Sequence, residues 1–220
     1  MSLSENSDAY SKVKKVCACT TQKELTRLYS EWSNSYDEDV KSLEYIGPLV
    51  AAKQLDEKLK ELNLNNDVRI LDLGCGTGLV GEQLYNMGYK NIDGIDFSDE
   101  LLKVAESKKV YRYLRKGKIA SADCRELGVI ADQYDAAICV GVFTAGHVKG
   151  EGFNDLVHVV KSGGLVCFSV NAPVLDDPQS GYTEKIDELT NANKWKLVSK
   201  YLETKYFREG KGWFFVFEIL

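Results

Sequence analysis

The residues whose spacing carries the most chemistry are Asp72-Leu73-Gly74-Cys75-Gly76-Thr77-Gly78, where an apolar run ends and a helical pattern begins. Glycines lack a Cβ, so they admit positive φ and let a ligand approach the backbone, and the free N–H groups of the following helix favour an anionic group. Asp96 closes the next apolar run, Ile92-Asp93-Gly94-Ile95-Asp96, where a carboxylate has two oxygens to accept from paired hydroxyls. His147 falls in a glycine-containing loop after a later apolar run, a place where imidazole serves as a general base, whereas His158 sits among apolar residues and reads as structural. With two histidines in the chain, the C-x-C of Cys17 and Cys19 finds no second ligand pair at zinc spacing, so no metal site is expected.

These groups need a scaffold, and the periodicity supplies one. The first 20 or so residues are polar and aperiodic. Thr21-Gln22-Lys23-Glu24 then offers a capping box ahead of Leu25, Leu28, Tyr29 and Trp32 at helical spacing. A second helix is expected from Pro48, with Leu49, Ala52, Leu55, Leu59 and Leu62 on one side. From Val68 onward, short apolar runs alternate with helical stretches, the signature of βαβ units. Strands are expected at 68–73, 91–96, 117–122, 135–141 and 164–170, with helices near 79–87, 99–107 and 152–161. The β-rich runs 195–207 and 212–220 are joined only by Arg208-Glu209-Gly210-Lys211, which requires an antiparallel hairpin. The expectation is an α/β fold: a doubly wound, Rossmann-like sheet of seven mostly parallel strands with a C-terminal hairpin and an N-terminal helical cap. One domain spans 1–220, divided into a cap at 1–66 and a core at 67–220.

Two frames fit the glycines. Gly76-Thr77-Gly78-Leu79-Val80-Gly81 has the spacing of a dinucleotide turn, with Asp96 as ribose ligand. Asp72-x-Gly74-x-Gly76-x-Gly78 resembles motif I of the class I S-adenosylmethionine-dependent methyltransferases, and the chain from about Leu55 to Leu220 follows that family's pattern in order. The resemblance implies that Asp72 and the loop at Gly74, Cys75 and Gly76 hold the methionine portion of the cofactor. It also implies that Asp96 accepts the ribose hydroxyls, Phe97 packs on the adenine, and Asp123 and Cys124 of Ala120-Ser121-Ala122-Asp123-Cys124 bind the adenine edge. Tyr134 to Gly141 resembles the strand that borders the sulfonium, which brings in Val140, and Lys161-Ser162-Gly163-Gly164 is similar to the turn that follows it in the family. Trp32-Ser33-Asn34-Ser35-Tyr36-Asp37-Glu38-Asp39-Val40 and Phe143-Thr144-Ala145-Gly146-His147-Val148 narrow the likeness to the Williams-Beuren-region methyltransferase-like proteins.

That likeness implies S-adenosyl-L-methionine as cofactor and S-adenosyl-L-homocysteine as product, while the N-terminal cap and short loops, which favour a closed pocket over a broad groove, lead us to expect a small-molecule O- or N-acceptor. Displacement at a sulfonium needs positioning more than a base, and aromatic faces tolerate the cation, so Trp32, Tyr36 and Phe143 are expected in lid and wall. His147 and Tyr36 are the candidates for proton removal, with Phe143 and His147 on the acceptor. Two alternatives belong to other classes: a cofactor-binding partner protein without turnover, and a nicotinamide oxidoreductase using the shifted frame. A protein or RNA acceptor is the alternative within the methyl-transfer reading.

Composition limits the partners. The 220 residues carry 28 Lys+Arg against 33 Asp+Glu, a net charge of −5 that disfavours non-specific nucleic-acid binding. The one dense basic cluster, Lys108 to Lys118 interleaved with Tyr111 and Tyr113, reads as a solvated face. Asn171-Ala172-Pro173-Val174 has Ala172 and Val174 where the motif of amino-methylating nucleic-acid enzymes has its first proline and its aromatic residue, and residues 171–182 are expected to form an acceptor loop. No apolar run reaches membrane-spanning length, and the opening residues lack a signal-peptide pattern. A cytosolic monomer or weak dimer with reduced cysteines is expected.

Overall fold

The computed structural model describes residues 8–121, 123–208 and 210–220. The opening Met1 to Ser7, Ala122 of the expected third strand and Glu209 of the hairpin turn lie outside the described residues.

Four helices come first: α1 (Asp8–Cys17), α2 (Gln22–Trp32), α3 (Tyr36–Ser42) and α4 (Gly47–Glu61). Thr21 caps α2 by accepting from the Glu24 N–H, and Pro48 occupies the first turn of α4. On α4 the buried stripe is Ala51, Ala52, Leu55 and Leu59, while Leu49 and Leu62 are exposed at its ends. The aperiodic reading of the first 20 residues is corrected by α1. Its buried residues are Ala9 and Val16, too few to show a stripe, and it is fixed to α3 by the Lys12–Asp39 ion pair at 2.9 Å. Asp39 also accepts from Trp32 Nε1 (2.7 Å) and Ser35 Oγ (2.9 Å), so a single carboxylate joins α1, α2 and α3.

Alternating strands and helices follow: β1 (Ile70–Leu73), α5 (Leu79–Asn86), β2 (Ile92–Asp96), α6 (Asp99–Ser107), β3 (Tyr113–Lys116), β4 (Tyr134–Phe143), α7 (Phe153–Val159), β5 (Val160–Asn171), α8 (Tyr182–Asn191), β6 (Trp195–Phe207) and β7 (Gly210–Ile219). The sheet order is β3-β2-β1-β4-β5-β7-β6. The first five strands pair in parallel, and β7 runs antiparallel to both β5 and β6. Every strand of the β1 to β5 block except β3 is buried on both faces, which explains why the runs read as continuous apolar segments. One face is covered by α7, α8 and an aromatic stack that includes Phe153, Phe168 and Trp195, and the other by α4 and α5 through Leu55, Leu59, Val80 and Leu84.

The strand expected at 117–122 is instead β3 at Tyr113–Lys116, paired with Asp93 to Asp96. Only Leu114 of its four residues is even half-buried, so no apolar run announces it. Beyond Lys116 the chain leaves the sheet: Ala120 takes φ +63° and its N–H donates to Asp155 Oδ2 on α7 at 2.5 Å. Of the segment expected as an acceptor loop at 171–182, Ala172–Val174 form a one-turn 3-10 helix, residues 175–181 are a loop, and α8 begins at Tyr182, which is buried with its hydroxyl donating to Val148 O at 2.7 Å. Helix α7 ends two residues before the expected Lys161, because the chain joins β5 at Val160 opposite Tyr134.

Candidate functional site

The turn after β1 is built by opposed constraints. The Gly74 and Cys75 N–H groups both donate to Ile95 O, at 2.8 and 2.9 Å, which holds the loop across the carboxyl end of β2. Gly74, Gly76 and Gly78 all have positive φ. A Cβ on Gly74 would strike Val142, whereas one on Gly76 would meet nothing within 4 Å, so the backbone at Gly76 faces open space.

Asp96 faces that same space. Its Oδ2 accepts from the Gly76 N–H and its Oδ1 from the Ser98 N–H, each at 2.9 Å, so both oxygens are oriented and each keeps a lone pair for a ligand. Burial pushes its carboxyl up to about 6, against the pull of these backbone donors. A cavity of about 490 Å³ opens here, lined by Gly74, Gly76, Asp96, Phe97, Val140 and Gly141 among others, a volume within the range of cofactor sites.

A smaller cavity of about 120 Å³ adjoins it beneath the N-terminal helices. Tyr29, Tyr36, Gly141 and His147 line both spaces and so form the partition between them. His147 Nδ1 lies 2.8 Å from Ala145 O. A carbonyl only accepts, so Nδ1 carries the hydrogen, and Nε2 accepts from the Tyr29 hydroxyl at 2.8 Å. Burial lowers the His147 pKa, keeping the ring neutral, and burial pushes the Tyr29 and Tyr36 phenols well up.

The expected site residues divide into three groups. Gly74, Gly76, Asp96, Phe97, Val140, Tyr36 and His147 come together around the larger cavity. Asp72, Cys75 and Trp32 sit behind its walls. Trp32 lines only the smaller cavity, edge-on to Tyr36 with ring centroids 4.8 Å apart, and the Cys75 thiol packs near Gly94 of β2. Asp72 is fully buried; its Oδ2 accepts from the Tyr111 hydroxyl at 2.6 Å and its Oδ1 has no partner among the described residues. Burial pushes Asp72 up to about 7.

Phe143, Asp123 and Cys124 stand apart, which corrects their expected roles. Phe143 is 1% exposed and packs on Phe153 at 4.5 Å in the aromatic core, because β4 alternates and its outward neighbour Val142 faces the loop. Asp123 pairs with Arg125 at 2.6 Å, and Cys124 turns into the core; Ile119 and Ala120 line the cavity in their place. Tyr29 is the residue that sequence reasoning missed. Its helical spacing with Leu25 and Trp32 read as a core stripe, and only tertiary contact with a loop 118 residues away reveals its partner.

Two observations separate the glycine frames. Tyr111 fills the space where a Cβ on Gly81 would sit, and it also crowds Gly78 at 3.1 Å. The last two glycines of the shifted frame are therefore explained by packing, while Gly74 and Gly76 are the ones that face the cavity. Part of the basic cluster is paired with acids of other elements: Lys108 bridges Asp37 (2.7 Å) and Glu82 (2.6 Å), Arg112 pairs with Asp93, and Lys116 with Asp99.

The family described as Methyltransferase domain matches residues 70–164, from the start of β1 into β5. Methyltransferase-like protein 27 of Homo sapiens is 30% identical over 172 residues, covering 76% of this chain and 66% of that protein. A malonyl-[acyl-carrier protein] O-methyltransferase of Legionella pneumophila is 28% identical over 189 residues, covering 86% of this chain and 60% of the relative. The chain thus spans about two thirds or less of the length of these curated relatives. In fold, it superposes on an S-adenosylmethionine-dependent methyltransferase from Clostridium acetobutylicum with a TM-score of 0.63 at 17% identity, covering 87% of this chain and 98% of that one. With its strand order and these likenesses in agreement, the chain belongs to the methyltransferase family described as Methyltransferase domain and has the fold of S-adenosylmethionine-dependent methyltransferases.

Proposed function

We propose that this protein transfers the methyl group of S-adenosylmethionine to a small-molecule O- or N-acceptor, with the cofactor in the larger cavity. The observation that carries the reading is the Asp96 carboxylate held open by Gly76 and Ser98 beside a glycine turn whose backbone faces free space. Asp96 would accept the ribose hydroxyls, the loop at Gly74 and Gly76 would cradle the methionine end, and Phe97 would flank the adenine. Asp72, buried below with one unpartnered oxygen, would act through the loop, a cation above it favouring the ionised form that burial opposes.

The cofactor supplies an activated methyl group on a sulfonium, a good leaving group, so the chain's task is positioning, exclusion of water and proton removal. Tyr29 and Tyr36 present rings at the partition, a wall that tolerates positive charge without offering a free nucleophile. An O–H or N–H acceptor must lose its proton, and His147 is placed to receive it. With Nδ1 held by Ala145, its Nε2 is the basic atom, and the Tyr29 hydroxyl already spans the gap to it. The acceptor proton would pass to the Tyr29 oxygen as Tyr29 gives its own to Nε2, leaving an imidazolium. The Legionella relative is named for O-methylation of a malonyl group, which supports oxygen as the accepting atom.

No helix among the described residues is long and apolar enough to cross a membrane. All six cysteines are free and none is exposed, in keeping with the cytosolic setting proposed here. The test is release of S-adenosylhomocysteine from S-adenosylmethionine in the presence of a panel of phenols, carboxylic acids and amines. Acceptor-dependent release supports enzymatic transfer. Tight cofactor binding with no release across the panel favours the partner protein without turnover.

A further inference from the structure

We propose that the smaller cavity seats the methyl acceptor, and that the acceptor is a small, uncharged aromatic compound bearing a hydroxyl group. The proposal rests on the methyl-transfer reading and adds to it the acceptor's place and class.

Position comes first. The two cavities share Tyr29, Tyr36, Gly141 and His147, so a group in the smaller space meets the larger one across this partition and nowhere else in common. Gly141 has φ +75°, and a Cβ on it would lie 2.9 Å from the Tyr45 hydroxyl. A side chain there would fill the passage, and glycine keeps it open.

Size and charge narrow the occupant. A cavity of about 120 Å³ is on the scale of one six-membered ring, given that an apolar cavity of about 150 Å³ accepts benzene. Its lining includes Val13, Val16, Trp32, Tyr45, Tyr206 and Phe207, and no lining residue among those described is an acid, a lysine or an arginine. A carboxylate or an ammonium group would meet no counter-charge there.

The polar atoms fix the functional group. Gly141 N–H donates to Ser169 Oγ at 3.1 Å; Ser169 Oγ lies 3.1 Å from the Tyr206 hydroxyl, which lies 3.2 Å from the Tyr45 hydroxyl. Either oxygen of each hydroxyl pair can donate, so Tyr45, at the end of this chain, presents a hydroxyl beside Gly141 that can give or take a hydrogen bond. On the opposite side Tyr29 donates to His147, so its oxygen is an acceptor. A group seated between them must donate to Tyr29 and can pair with Tyr45 in either sense, and a hydroxyl does both. A carboxylate cannot donate, and an ammonium finds no counter-charge. In the transfer, the acceptor oxygen forms its bond to the methyl carbon as the carbon–sulfur bond breaks and leaves its electron pair on sulfur. The phenolic proton goes to Tyr29 and the Tyr29 proton to His147 Nε2.

The experiment is calorimetric titration of the S-adenosylhomocysteine-loaded protein with phenol, benzoate and benzylamine, repeated on Val13→Phe. Val13 is half-buried, lines the smaller cavity and does not line the larger, so the variant narrows one site and spares the other. Saturable phenol binding that weakens at least tenfold in Val13→Phe, with benzoate and benzylamine at least tenfold weaker than phenol, is the expected result. Benzoate or benzylamine binding as tightly as phenol, or phenol binding indifferent to the substitution, overturns the proposal. Should Val13→Phe misfold, Val16→Phe puts the same bulk on the same helix and is read by the same criteria. If S-adenosylhomocysteine itself fails to bind, the cofactor reading falls, and the same titrations on the ligand-free protein still decide the acceptor cavity.

Discussion

The Tyr111 hydroxyl donates to Asp72 Oδ2 at 2.6 Å, and its ring occupies the space above Gly78, Gly81 and Gly94. One side chain therefore holds the buried acid beneath the glycine turn and fills the space a Cβ on Gly81 would need, while it crowds Gly78 and, with Leu114 and Cys75, Gly94. Replacing Tyr111 by Phe takes from buried Asp72 its side-chain hydrogen-bond donor and should cost about 1–3 kcal/mol. Urea unfolding is expected to show a lower midpoint at unchanged slope. By contrast, Gly81→Ala would gain about 0.5–1 kcal/mol from helix propensity alone, but its methyl collides with the Tyr111 ring, a conflict of about 1–3 kcal/mol, so it too should destabilise.

Asp96 sets a pH dependence whose sign is fixed by its raised pKa. Between its unfolded value near 3.8 and about 6 in the fold, it is ionised when unfolded and protonated when folded. Its favourable contribution is complete below the unfolded pKa and is lost as pH rises through about 6, at about 1.4 kcal/mol per pH unit within that window. Asp96→Asn removes this term, so the stability of the variant relative to the parent should rise between pH 4 and 6 and level off above. A difference that stays flat across those denaturation curves would show that Asp96 is not strained by burial.

Tyr29 and His147 act as one unit in the proposed proton path. Tyr29→Phe and His147→Ala should each lower kcat by about 100-fold or more, and the double variant should fall little further. Cofactor affinity should hold in Tyr29→Phe. Because burial lowers the His147 pKa, the neutral, basic form persists through neutrality, and kcat should drop only when the pH falls below the ordinary imidazole range. Additive losses in the double variant would separate the two residues.

The cap is clamped to the core by Lys108, which is 12% exposed and reaches both Asp37 on α3 and Glu82 on α5, while Thr77 donates to Asp37 at 2.5 Å. Lys108→Met leaves two carboxylates facing each other without their cation. Limited proteolysis within residues 8–42 should speed up several-fold while cleavage within the sheet stays unchanged. Equal acceleration in both regions would mean that the lysine supports the whole fold.

Much of this was legible because the governing signals are local. The Thr21 cap, the glycine turn, the buried parallel runs and the short link between the last two strands each follow from a few adjacent residues. So did Asp96, since a strand-end acid some 20 residues beyond a glycine turn has few other places to be. What escaped depends on distant contacts. Strand β3 has hardly any apolar face, helix α1 relies on a lysine reaching Asp39, and Tyr29 meets His147 from the far side of the chain. Phe143 and Cys124 misled for a related reason: sequence gives neither the face of β4 on which a residue points nor the turn of the chain at Ala120.

The most direct test of the central claim is calorimetric titration with S-adenosylmethionine, S-adenosylhomocysteine and NADH, on the parent protein and on Asp96→Ala. The two adenosyl ligands should bind, at least tenfold more weakly in the variant, while NADH gives no heat. Absence of adenosyl binding, or binding of NADH in its place, would contradict the assignment of the larger cavity.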